Sequence, residues 1–237
     1  VDKIWHLQNE HRNDVVDNFS SLRNIADKLR IMEAMAAVTY NTNSVVAYSA
    51  SGGTSVSPAY PTGIVANNLL VLTIGMKPAA ANGGSVTTPA GWTPIISLTG
   101  AGGYGTTLGA DVGNTNVFTF YKVAVGTESG TLAVTIAGNG VSWAQMYRLS
   151  AAAGSTWSVA GATGSDVTTG AAVSIAHSTN PGVTVGDYII GAMVIPTDVT
   201  TPAQFTAEAL TQTGITFSAV TEIIEPDSGT GSDIGGV

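Results

Sequence analysis

The chain contains no cysteine. That excludes disulfides, thiolate nucleophiles and Cys-ligated metal, so stability has to come from packing and association. Charge is scarce as well. Asp, Glu, Lys and Arg make up 10% of the 237 residues, against about a quarter in an ordinary globular domain. Solubility then rests on Thr, Ser, Asn and exposed backbone, or on burial in a larger assembly. Cations are rarest of all: the net charge is -8, and past residue 38 the only basic residues are Lys77, Lys122 and Arg148. Three scattered cations make no phosphate-binding patch, which argues against nucleic acid as a partner. No apolar run reaches the length of about 18 residues that a membrane span requires. Val1 to Leu7 carry Asp2, Lys3 and His6 where a signal peptide would need an apolar stretch.

What charge there is sits at one end. Residues 1–38 hold 5 of the 8 Lys and Arg residues and 6 of the 16 Asp and Glu residues. Within that segment Val1, Ile4, Gln8, His11, Val15, Asn18, Leu22, Ile25, Leu29, Met32 and Ala36 recur at spacings of three and four. This is an a/d heptad pattern, widened by Leu7 and Phe19, and it predicts a helix of about 36 residues and about 54 Å. Charged residues such as Glu10, Asp14, Arg23, Lys28 and Glu33 occupy the other faces. A lone helix of this kind would expose its apolar stripe. The polar seam residues Gln8, His11 and Asn18 favour copies of the helix as the cover, because buried polar seam positions set register and oligomer number. The expected self-association surface is Ile4, Leu7, His11, Val15, Asn18, Leu22, Ile25, Leu29 and Met32, most simply as a homotrimer. The alternative is a helix laid along its own β domain with the polar three facing water.

From Ser44 the period changes. Val45–Tyr48, Asn68–Ile74, Val117–Val123, Leu132–Ile136, Trp143–Leu149, Val173–Ala176, Tyr188–Ile195 and Ile215–Val220 read as strands, separated by Gly, Pro, Asn and Ser clusters. The unbroken apolar run at 68–74 suits a strand buried on both faces. It is echoed at 186–195, where a polar turn again runs straight into a long apolar segment, as expected either of central strands in equivalent positions of two facing sheets or of simple convergence between buried strands. Many short strands with turn signals and no second helical pattern predict a mainly β fold, an antiparallel jelly-roll-like sandwich preceded by one long helix. The expected division is 1–38 as the helix, for oligomerisation or anchoring, 39–60 as linker and first strand, and 61–237 as the sandwich. Ser232–Val237 reads as the start of another element, so the sandwich is expected to be incomplete at that end.

Chemistry finds little support. His6 and His11 are five apart and do not share a helical face as a zinc pair would, and His177 has no Cys or Glu nearby. Gly100-Ala-Gly102-Gly103-Tyr104-Gly105 fits G-x-G-x-x-G, but no helix pattern follows it to face a phosphate, so it reads as a hairpin loop. Asp111, Asn114 and Asn116 offer one carboxylate among amides, a poor calcium set that reads better as turn chemistry. Asn18-Phe-Ser20 has the form of a glycosylation sequon but falls inside the predicted helix. No phosphate loop, nucleophile elbow or close pair of acids is present. No catalytic residue, metal or cofactor is therefore expected. Trp92 and Trp143 read as core. Trp157 and Tyr104 read as exposed aromatics of the sort that stack on sugar rings, with loops 100–114 and 151–170 around them.

Pro89-Ala-Gly-Trp-Thr-Pro-Ile95, Phe120-Tyr-Lys-Val-Ala124 with Glu128-Ser-Gly130, Trp143-Ala-Gln-Met-Tyr-Arg-Leu-Ser150 and Gly186-Asp-Tyr-Ile-Ile190 occur in that order. In this the chain resembles a β-sandwich domain of tailed-bacteriophage virion proteins, the tail-fibre and capsid-fibre type, over about 60–225. Asn67-Asn68 stands where that pattern resembles Gly-Asp. The resemblance carries no catalytic residues. It implies a non-enzymatic structural component of a virion, a fibre, collar or decoration protein. Its expected partners are copies of itself and other virion proteins, and host-surface glycan if loops contact a receptor. The competing expectation is a carbohydrate-binding or receptor-binding module.

Overall fold

A computed structural model describes residues 38–50, 52–80, 83–101, 114–165, 175, 182–184, 186–196, 209–217, 220, 221, 223, 226, 235 and 236. The predicted helix, with its self-association residues from Ile4 to Met32, lies outside the described residues. So do Tyr104, Asp111, the three histidines and most of Val173–Ala176. Contact density divides the chain into two units, and all that follows belongs to the larger, Val38–Ala151 with Thr156–Val237.

Its elements are antiparallel strands: β1 Thr39–Asn43, β2 Ala47–Ser49, β3 Ser55–Val56, β4 Leu69–Pro78, β5 Ser85–Val86, β6 Thr93–Ala101, β7 Thr115–Val123, β8 Val134–Ala137, β9 Asn139–Ser150, β10 Val194–Ile195 and β11 Gly235–Gly236. The main sheet has six strands in the order β1-β9-β4-β7-β6, with β2 also on β9. A three-stranded sheet runs β3-β8-β5, and β10 pairs with β11. The segment expected as linker and first strand carries β1, β2 and β3 and is woven into both larger sheets.

β4 is the centre of the main sheet, and all ten of its residues are buried. Its ladder to β9 runs Leu69↔Leu149 to Lys77↔Val141, and its ladder to β7 runs Leu69↔Val123 to Met76↔Asn116. Period-two alternation then sorts side chains onto two faces. On one face Leu70, Leu72, Ile74 and Met76 meet Phe118 and Phe120 of β7 and Ala144 and Met146 of β9. Val56, Val134 and Ile136 of the small sheet join the same cluster, as does Trp92. The small sheet therefore covers this face. Each such side chain contributes about 1.5–3 kcal/mol when taken from water, so this cluster dominates the stability of the unit.

The opposite face is mixed. Leu69, Val71, Tyr147 and Leu149 form an apolar end over which Val38, Tyr40, Trp157, Val159 and Ile190 pack. Val141 and Trp143 form another with Val46 and Val194. Between them lie Thr73 and Gln145, both with no exposed surface. Gly75 is required here. A Cβ at that position would stand 2.4 Å from Cε2 of the Trp143 indole, which lies across the bare backbone of β4.

Several expectations change. Val45 and Val46 precede β2 instead of belonging to it. Tyr188–Met193 is in no strand, and only Val194–Ile195 forms a ladder. The run covers the mixed face through Ile190 and Val194, while its main chain from 188 to 193 makes no ladder with another described residue. Ile215 makes only an isolated bridge with Gln212, and Ile215–Phe217 is irregular.

Candidate functional site

The described residues gather no reactive constellation. No group of three or more His, Asp or Glu among them could hold a metal ion. Asn116 is buried and donates its amide to the Gly83 carbonyl at 2.8 Å. Asn114 is fully buried with neither amide atom partnered. Neither side chain is turned outward toward a ligand. Lys77 is likewise buried, donating from Nζ to the Pro196 carbonyl at 3.3 Å.

The charged pair outside the core has a structural task. Glu128 accepts from the Val125 and Gly126 amides, each at 2.9 Å, and its Oε1 lies 2.9 Å from Lys122 Nζ. Burial alone would raise its pKa. The backbone amides and the Lys122 ammonium outweigh that effect and hold it down to about 2. The carboxylate thereby ties the loop after β7. Arg148 donates to the Gly63 carbonyl and, at 3.4 Å, to Asn68 Oδ1, pinning the turn before β4.

That turn and its echo are built alike. The Asn68 amide donates to the Val65 carbonyl at 3.1 Å, and the Val65 amide donates to Asn68 Oδ1 at 3.0 Å. The Asp187 amide donates to the Thr184 carbonyl at 3.2 Å, and the Thr184 amide donates to Asp187 Oδ2 at 2.7 Å. The third residue is left-handed in both, Asn67 at φ 69° and Gly186 at φ 101°. Asn is among the few non-glycine residues that tolerate this region, which is why Asn67-Asn68 can build the same turn as Gly186-Asp187.

Trp157 sits on the first of these turns. Its indole N–H donates to the Asn67 carbonyl at 2.9 Å, and its ring packs on the Leu69, Val71, Tyr147 and Leu149 cluster. It is half-buried, not the free aromatic platform expected from its Ser- and Gly-rich surroundings. Trp92 and Trp143 are in the core as predicted.

The outer edge at β1 and β2 is the most distinctive surface. Asn43 opposes Tyr147 and Ala47 opposes Ala144, so four steps on the edge match three on β9. The extra residue makes a bulge at Ser44–Val46. The Ser44 amide donates to the Met146 carbonyl at 2.8 Å, the Met146 amide returns a bond to Ser44 Oγ at 3.0 Å, and Gln145 Nε2 donates to the Ser44 carbonyl at 3.1 Å. Gln145 Oε1 accepts from the Tyr147 hydroxyl at 2.9 Å. Burial raises the pKa of that phenol well above its ordinary value, with Tyr40 adding to the effect. The bulge turns Val45 outward, 83% exposed, beside an open groove of about 400 Å³ lined by Asn43, Ser44, Val46 and Tyr48. The sequence signal for this edge was only the apolar pair Val45-Val46, which reads equally well as plain strand. No known protein family, curated protein or solved structure matches this chain.

Proposed function

We propose that the chain is a non-enzymatic structural component of a bacteriophage virion, a fibre, collar or decoration protein. In this reading residues 1–38 form a coiled-coil helix that joins copies, most simply three, or docks them on the particle. The β body is a jelly-roll-like sandwich carried outward by it. The observation that carries the reading is the division of the chain, with an amphipathic charged segment followed by a body almost free of charge. The β body is compatible with such a role: its central strand is buried along its whole length and both sheet faces are covered. The virion part of the proposal rests on the resemblance in motif order to phage fibre domains read from the sequence.

The test is sedimentation of the purified full chain beside a chain lacking 1–37, a cut that keeps Val38 in its cluster. The expected result is an oligomer for the first and a monomer for the second, with equal β signal. A monomeric full chain at all concentrations would refute the reading. The carbohydrate-binding alternative predicts instead that glycan-array binding survives the deletion and is lost in Trp157→Ala or Tyr104→Ala.

A further inference from the structure

We propose that the bulge at Ser44–Val46 is a contact surface for a second copy of this chain, with Val45 at its centre. This deepens the self-association reading and rests on it. Three observations converge on the edge. First, the presentation of Val45 is built. Ser44 and Gln145, both buried polar residues, direct their hydrogen bonds to holding the extra residue in place. Nothing among the described residues covers the result, since Val45 is 83% exposed. Bulges re-aim side chains in this way. They also spoil the straight row of amides that edge-to-edge pairing needs, so the contact is made by side chains packing into the groove beside Tyr48 and not by an added strand.

Second, the edge is uncharged. No Asp, Glu, Lys or Arg occurs between Glu33 and Lys77. Monomeric proteins commonly guard an exposed edge with charge, and that guard is missing here. Identical copies bring like surfaces together, and a neutral surface meets its own copy with no like-charge repulsion to offset. This favours a second copy over an oppositely charged partner.

Third, the chain itself delivers the edge. Val45 is seven residues past Val38, a reach of at most about 23 Å at about 3.3 Å per residue. Copies joined through 1–37 hold their β1–β2 edges at an effective concentration on the order of millimolar. A contact too weak to form between free units would then be populated.

The absence of native cysteine gives a clean experiment. Val45→Cys puts the only thiol of the full chain at the bulge, and Val125→Cys, 66% exposed in the loop after β7, is the control. Mild oxidation of the assembled protein is expected to cross-link the first to covalent dimers at least tenfold more than the second. Val45→Asp is expected to weaken association about tenfold by sedimentation, with circular dichroism unchanged. In the unmodified chain, amides 45–48 are expected to gain exchange protection as concentration rises. An oligomeric full chain whose Val45→Cys links no better than the control, and whose 45–48 amides ignore concentration, overturns this inference and leaves self-association standing. A full chain that is monomeric throughout overturns both.

Discussion

Gly75 and Glu128 show how single residues hold this unit together, one by what it lacks and one by its charge. Gly75→Ala adds one methyl where the Trp143 indole already lies 2.4 Å from the Cβ position. Trp143 has no exposed surface and is packed with Val141, Val46 and Val194, so it has nowhere to retreat. Overpacking of this kind costs about 1–3 kcal/mol. The expected outcome is a lower urea midpoint with a shifted near-ultraviolet tryptophan signal. Glu128 predicts a pH dependence. Its folded pKa is depressed from 4.5 to about 2, so the unfolded chain takes up a proton first as pH falls. Its contribution is present in full above about pH 4.5 and is lost progressively toward pH 2. Glu128→Gln should therefore lower the urea midpoint at pH 7 and flatten its decline between those limits. A variant that declines as steeply as the parent would exclude the carboxylate as the tie of that loop.

Among the elements, the edge bulge makes the sharpest prediction. Ser44→Ala removes the hydroxyl that accepts from the Met146 amide at 3.0 Å and leaves that amide buried without a partner. The expected cost is about 1–3 kcal/mol, with faster hydrogen exchange at Met146 and little change at β4–β7. The same elements explain what could be read from sequence. β4, β7, β8 and β9 were legible because both-face burial or strict alternation writes a long apolar signal, as in Leu69–Ile74 and Phe118–Phe120. β1 was not, because Thr-Tyr-Asn-Thr-Asn is polar and owes its strand to pairing with β9. Nor was β6, which carries Pro94. A proline is tolerated there because β6 is an edge strand whose register slips between Pro94 and Ile96. Tyr188–Met193 erred the other way. Its apolar run marks burial against the mixed face, and burial alone does not supply a ladder partner. The bulge was invisible for a simpler reason: it is set by the register of β9, one hundred residues away in sequence.

At the scale of the whole molecule, the proposed division of labour makes two kinds of stability separable. The β body closes its main cluster with its own residues, Val56, Val134 and Ile136 over Leu70, Leu72 and Ile74. Its unfolding is then first order in chain, and concentration affects it only through the weak edge contact proposed at Val45. The segment 1–38 cannot cover its apolar seam alone if it is a coiled coil, and its folding is linked by mass action to assembly. In the full chain, thermal melting followed by the helical circular-dichroism signal should move upward as concentration is raised. Melting followed by the near-ultraviolet signal of buried Trp143 should move much less, by the small increment that an edge contact at Val45 adds. Removing 1–37 should abolish the first transition and leave the second close to its place. If both signals instead shift together with concentration, the body too depends on its neighbours for its fold, and the picture of a self-sufficient module carried on an associating stalk fails.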